Sequence, residues 1–185
     1  MLPSPGKCME KMIMISIYKK GTESIALLRS LSLKIWPEAY GRILSGSQIN
    51  YMLNLMYHEE ALETQINQKQ HQFIIAFDDA EPVGFASYGL KSLEEPGVYR
   101  LHKLYVIPGL HGKGVGKKLI QFIVDDILLN GAEKLELNVN KQNQAIQFYE
   151  KMGFHIIREE KIDIGQGFIM DDYVMETALP GFFVP

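Results

Sequence analysis

One cysteine, Cys8, is all the thiol the chain contains, which excludes an internal disulfide and any thiolate metal cluster. No apolar run approaches the length of a membrane span, and no apolar stretch after a basic start reads as a signal peptide. A reducing cytoplasm is the expected compartment, with no membrane partner. Charge of one sign is also scarce: 19 basic residues face 22 acidic ones, for a formal net charge of −3. Nucleic-acid binders carry a basic excess, so no nucleic-acid partner is expected. Familiar catalytic motifs are missing too. "HEEAL" lacks the second histidine of a zinc helix, and no Gly-x-Ser-x-Gly occurs. Metalloenzyme and hydrolase readings fail, and no metal is expected.

What is present suffices for one compact domain with a full core: 185 residues, 46% of them hydrophobic. Residues 1–10 read as a flexible leader, 11–180 as a single domain and 181–185 as a short tail. "IMISIYKKG" reads as a first strand. Helical spacing then holds from Glu23 to about Gln70, with a stop expected at Pro37 and a cap at Ser47. "QFIIAF" and "VGFASYGL" flank the turn cluster "DDAEP" and form a hairpin. "VYRLHKLYV" is a third strand with odd parity: Leu101 falls on one face, Leu104 and Val106 on the other. A one-residue bulge near His102 and Lys103 would bring all three to one side; burial of both faces would serve equally well. Val115, Leu119, Ile123 and Ile127 mark a helix, followed by the strand "KLELNV", the short helix "NQAIQFYEKM" and two last strands. The class is mixed α/β, one central mixed sheet flanked by helices.

The run "HGKGVGKKLI", residues 111–120, enters a helix directly after a strand. It is not a Walker loop, because Lys118 stands where Ser or Thr is needed; nor is it Gly-x-Gly-x-x-Gly, because Lys117 holds the last position. Its physics still suits an anion. Free amides at the positive end of a helix dipole sit beside Gly112, Gly114 and Gly116, which have no side chains to block a bulky group. Lys113, Lys117 and Lys118 make sense there if a pyrophosphate neutralises them. A flexible loop with solvated lysines is the plain alternative.

"LYVIPGLHGKGVGKKLI" followed by "LNVNKQNQAIQFYEKMGF" resembles the paired signature of the GCN5-related N-acetyltransferases (GNAT), over about residues 99–154. The order of elements on either side fits the same acyl-CoA N-acyltransferase fold. The resemblance implies that acetyl-CoA donates an acetyl group to an amine. It implies that the backbone of Leu104, Tyr105 and Val106 pairs with the pantetheine arm. It further implies that the amides of His111, Gly112, Lys113, Gly114, Val115, Gly116 and Lys117 hold the pyrophosphate. Relatives usually have Arg or Gln where His111 stands. Asn143 matches the position that contacts the cofactor arm, and it also suits a helix N-cap. Tyr149 matches the tyrosine that protonates the departing thiolate; packing in the core is the other reading.

An alkyl amine, with a pKa near ~10.4, arrives protonated and must lose a proton before it attacks. Many relatives place a glutamate on the strand before the glycine run, but "YRLHKLYV" has none. His102 is the candidate base on that strand, with a water chain to a carboxylate of the helical region as the alternative. Trp36, Tyr40, Tyr51 and Tyr57, near Glu59 and Glu60, suit an organic cation or a hydrophobic core with an acidic rim. The glycine run, "FYEKMGF" and the helical first third are similar to bacterial polyamine acetyltransferases of the spermidine/spermine type. A small cationic amine is therefore the expected acceptor. A protein or peptide amine, and an acyl-CoA-binding module without catalysis, remain open. "ALPGFFVP" carries two adjacent phenylalanines that suit a core cap or a homodimer contact.

Overall fold

The computed structural model describes residues 14–179. Cys8, the leader at 1–10 and the 181–185 tail with Phe182 and Phe183 lie outside the described residues. The chain opens with β1 (Ile15–Lys20) and then three helices, α1 (Ile25–Tyr40), α2 (Gly46–Tyr57) and α3 (Glu59–Asn67). The hairpin β2 (Gln72–Asp78) and β3 (Glu81–Leu90) leads into β4 (Val98–Val106), α4 (Val115–Leu128) and β5 (Lys134–Asn140). Finally α5 (Ala145–Lys151) precedes the hairpin β6 (His155–Gly165) and β7 (Phe168–Ala178). One seven-stranded sheet results, in the order β1-β2-β3-β4-β5-β7-β6. Among the described residues only the β4–β5 pair is parallel. Among the described residues no helix is long and apolar enough to cross a membrane.

Each face of the sheet has its own core. Ile74, Ala86, Leu101 and Leu137 meet Val115, Leu119, Ile123 and Ile127 of α4, all at most 3% exposed. Phe73, Ile75 and Phe85 meet Leu28, Ile35, Trp36 and Leu62 of the N-terminal helices on the other face. At roughly 1.5–3 kcal/mol for each large apolar side chain buried, these two layers hold the sheet between them.

Two local expectations change. α1 does not stop at Pro37 but runs on to Tyr40, with the Gly41 N–H bonding Pro37 O at 3.0 Å. The proline costs a helical hydrogen bond, yet Trp36 and Tyr40 pack with ring centroids 4.7 Å apart and hold the last turn together. The cap of α2 is Ser45, whose hydroxyl accepts from Gln48 N–H at 3.2 Å, rather than Ser47.

β4 carries the feature that opens the site. Lys103 pairs with Ser87 and Leu101 with Tyr88, which leaves His102 as a bulged residue. The extra residue turns Leu101, Leu104 and Val106 all toward α4, which resolves the parity. It also bends β4 away from β5. The parallel ladder joins only Val98–Leu101 to Lys134–Leu137, after which Asn138, Val139 and Asn140 pair with β7 alone. Glu136, 3% exposed, clamps the closed end, bonded by Lys91 at 3.0 Å and Arg100 at 3.1 Å. Beyond that clamp the sheet is split.

Candidate active site

The split widens toward the C-terminal ends of β4 and β5, where the glycine run begins. Gly112 and Gly114 take φ of 77° and 82°. That left-handed region costs other residues about 1–2 kcal/mol. A Cβ at either position would meet nothing within 4 Å, so backbone shape rather than crowding calls for glycine, and the space above the loop is open. Gly116 is different, because a Cβ there would lie 3.3 Å from Phe148 Cζ. Its bareness lets α5 pack against the start of α4.

The amides of this loop divide into two sets. His111 N–H donates to Pro108 O at 3.2 Å and Lys113 N–H to Leu110 O at 3.3 Å. Lys118 N–H is the first to bond back along α4, reaching Gly114 O at 3.0 Å. Among the described residues the amides of Gly112, Gly114, Val115, Gly116 and Lys117 have no backbone acceptor. The cradle is therefore narrower than the expected run from His111 to Lys117. The His111 side chain lies elsewhere, with Nε2 2.9 Å from Val106 O.

Along β4, Ile107 N–H donates to Val83 O at 2.9 Å. Antiparallel alternation then turns the backbone groups of Tyr105 toward β3 and those of Leu104 and Val106 into the split. Tyr105 differs here from the expectation that all three residues present backbone. It contributes its side chain, whose hydroxyl lies 3.3 Å from that of Tyr40.

Tyr149, on α5, sits in the core on the α4 side of the sheet. It is 8% exposed and packs edge-on to Phe148 and Phe154, with centroids 5.3 and 5.8 Å away. Burial, and next the nearby Tyr40, push its hydroxyl well above the ordinary 10.0. The phenol stays protonated across the working pH range. Tyr149 belongs to one core and Tyr40 packs on the other. Asn143 lies one residue before Gln144, the N-cap of α5; its Oδ1 accepts from Ala145 N–H at 2.8 Å, and its amide nitrogen keeps its donors.

His102 is placed for another task than the one expected of it. Its ring stacks on His71 at 3.7 Å, and its Nε2 is buried without a hydrogen-bond partner. Burial, with His71 and Lys103 next in weight, pulls its pKa down to about 2. An imidazole held that far below its ordinary range is too weak a base to deprotonate an ammonium. Its neighbour Lys103 is buried as well, bonded to Gln65 Oε1, and burial brings its pKa down to about 8. Trp36 and Tyr57, at 1% and 3% exposure, belong to the core, while Glu59 and Glu60 are solvated on the first turn of α3.

The acid beside the split is Asp172, a residue that the sequence pattern had not singled out. It sits on β7, paired with Asn140 of β5 on one side and Glu160 of β6 on the other. At 3% exposure it is buried, and burial, then Glu160 and Asp171, push its pKa up to about 6. A signal was available: in "MDDYVME" Asp172 falls between Met170 and Val174 at strand spacing, an acid on an apolar face.

A forked sheet with bare amides at one helix entrance and a buried tyrosine across the fork defines an acyl-CoA N-acyltransferase arrangement. The family described as an acetyltransferase (GNAT) domain matches residues 44–175, and the chain belongs to that family. It is 34% identical over 92 residues to the peptidyl-lysine N-acetyltransferase YjaB of Salmonella typhimurium, covering 49% of this chain and 54% of that protein. It is 30% identical over 86 residues to the uncharacterized N-acetyltransferase MJ1207 of Methanocaldococcus jannaschii, covering 44% of this chain and 38% of that one. The chain thus spans about half or less of the length of these curated relatives. Its fold follows that of the PaiA N-acetyltransferase of Thermoplasma acidophilum, solved with coenzyme A. The TM-score there is 0.75 at 26% identity, over 90% of this chain and 99% of that one. A GCN5-related N-acetyltransferase of Rhodopseudomonas palustris shares the fold at a TM-score of 0.73 and 21% identity, over 94% and 99% of the two chains.

Proposed function

We propose that this protein moves the acetyl group of acetyl-CoA to a primary amine by direct attack, with a small cationic, polyamine-like amine as acceptor. The observation that carries the reading is the set of amides without a backbone acceptor at the entrance of α4, beyond the end of the β4–β5 ladder. Acetyl-CoA supplies an activated acetyl thioester. The amides of Gly112, Gly114, Val115, Gly116 and Lys117 hold its pyrophosphate, helped by the charges of Lys113 and Lys117. Backbone groups of Leu104 and Val106 bind the pantetheine arm, which requires His111 to release the Val106 carbonyl. The free amide nitrogen of Asn143 adds a contact. A main-chain N–H at the bulge beside His102 faces the charge that develops on the carbonyl oxygen. Tyr149 donates a proton to the departing sulfur. A thiol pKa of roughly 8.5 lies below that of the phenol, so this donation is a modest aid.

A second reading, a lysine of a protein or peptide as acceptor, is favoured by the similarity to YjaB. One experiment separates the two and tests both. Acetyl-CoA is offered with spermidine, with a blocked lysine peptide and with no amine, and free CoA thiol is read. Thiol release that depends on spermidine is the expected result; release only with the peptide supports the second reading. Tight acetyl-CoA binding with no release from any amine would leave a binding module and overturn both.

A further inference from the structure

Every other carboxylate near the end of the sheet has a partner. Glu159 and Asp171 share Lys141, both at 2.7 Å. Glu160 accepts from Asn138 Nδ2 at 2.6 Å, Asp163 from Gly165 N–H at 2.8 Å, and Glu136 has Lys91 and Arg100. Asp172 alone in this group is buried and has neither hydrogen bond nor ion pair among the described residues. Burying an unpaired carboxylate is costly unless it takes up a proton or a cation.

Its position says what that is. Asp172 lies beside Asn140, on the stretch of β5 that β4 has abandoned. It faces the side of the N-terminal helices, because Met170, at strand spacing from it, packs in that core while Tyr173 and Met175 turn to the opposite one. The carboxylate thus lies on the face of the sheet opposite Tyr149, beside the stretch where β4 and β5 no longer pair. The charged and titratable groups around Asp172 are Glu160 from β6, Asp171 from its own strand, Lys141 after β5, and Tyr40 from α1. The one cation among them is already held by two other acids. The local field is negative and suits a cation. Asn138, on the same face, adds a buried Oδ1 with no donor.

We propose that Asp172 receives the acceptor's ammonium group and removes its proton, the base that β4 does not supply. This deepens the acetyltransferase reading and rests on it. The ammonium gives one proton to the Asp172 carboxylate and becomes a neutral amine. Its nitrogen lone pair attacks the thioester carbonyl carbon and forms the C–N bond. The C–S bond breaks, and the sulfur departs with the bonding pair and takes a proton from Tyr149. The nitrogen's surplus proton returns to Tyr149, and Asp172 passes its own to solvent. One amide, one thiol and one released proton result.

The test compares wild type with Asp172→Asn and Asp172→Glu, using spermidine and the blocked lysine peptide as acceptors. Three readouts are taken: acetyl-CoA Kd by calorimetry, the pH profile of kcat/KM, and the carboxyl ¹³C titration of Asp172 with and without amine. Expected for Asp172→Asn are an acetyl-CoA Kd within twofold of wild type and a kcat/KM at least 100-fold lower. The wild-type fall in rate below about pH 6 disappears in Asp172→Asn, and Asp172→Glu restores part of the rate. Saturating amine should move the Asp172 ¹³C midpoint to lower pH. An Asp172→Asn enzyme within threefold of wild type with the acid limb intact overturns the assignment, as does a ¹³C midpoint that saturating amine leaves in place. Wild type that releases no thiol with either amine fails the acetyltransferase reading itself, and this proposal with it.

Discussion

If Asp172 is kept for a ligand, the empty protein should be less stable for it, and the size of that penalty can be worked out. Its ordinary pKa of 3.8 rises to about 6 in the fold. At about 1.36 kcal/mol per pH unit the gap corresponds to about 3 kcal/mol, which water reaching the open split reduces to roughly 1–2 kcal/mol. The sign follows from proton affinity. The folded protein holds this proton more tightly than the unfolded chain, so no penalty exists below about pH 4. It grows between pH 4 and 6 and is complete above 6. Asp172→Asn keeps the shape and removes the charge. It should therefore be more stable than wild type at pH 7.5 by roughly 1–2 kcal/mol, a rise in Tm of roughly 2–8 °C for a chain of this size. The advantage should vanish near pH 4. Thermal unfolding followed by circular dichroism at pH 4, 5, 6 and 7.5, without acetyl-CoA or amine, provides the measurement. An asparagine variant no more stable than wild type at pH 7.5, or one whose advantage ignores pH, would refute the reasoning. Stability gained where activity is lost is the usual mark of a functional site.

Tyr149→Phe should lower kcat roughly tenfold and leave acetyl-CoA Kd unchanged by calorimetry, because a phenol that only assists a good leaving group is not essential. Loss of binding would contradict that role. Gly114→Ala places a methyl in open space but forces a side chain into φ 82°, so a loss of about 1–2 kcal/mol in urea unfolding is expected together with weaker acetyl-CoA binding. An unchanged Kd would count against the amide cradle. Glu136→Gln should destabilise by about 2 kcal/mol at pH 7, since it leaves Lys91 and Arg100 without their shared anion at the closed end of the split. Burial alone would raise the Glu136 pKa, but hydrogen bonds from Lys91 and Arg100 hold it below 4.5. Its contribution is therefore present above that pH and lost as pH falls through the lower folded value. A deficit equal at pH 3 and pH 7 would point to packing instead.

How much of this could be read before the fold was known differs from one residue to the next, and the differences have physical causes. The glycine run and the bulge were legible because each is encoded within a few residues. Left-handed φ at Gly112 and Gly114 needs only glycine at those places, and the parity clash of Leu101 with Leu104 and Val106 exposes an extra residue in β4. His102 misled because its surroundings are not local. The ring that stacks on it belongs to His71, 31 residues earlier, and its pKa is depressed by burial first and then by His71, with Lys103 and the distant Lys69 of the turn after α3 adding to it. Pro37 misled through tertiary packing, since Trp36 and Tyr40 both pack against Tyr105 of β4 and hold the last turn despite one missing helical bond. Asp172 stayed hidden for a topological reason: β7 inserts between β5 and β6, so Asn140 and Glu160 become its neighbours only once the last hairpin has folded back across the sheet. The cofactor half of the site is written in consecutive residues because a loop and a helix end make it. The acceptor half is assembled from strands that meet out of order, so chain position alone leaves it unread. Strand-period patterning in the final hairpin is the better guide, because an acid set between apolar residues on a buried face must either be paired there or be waiting for a cation.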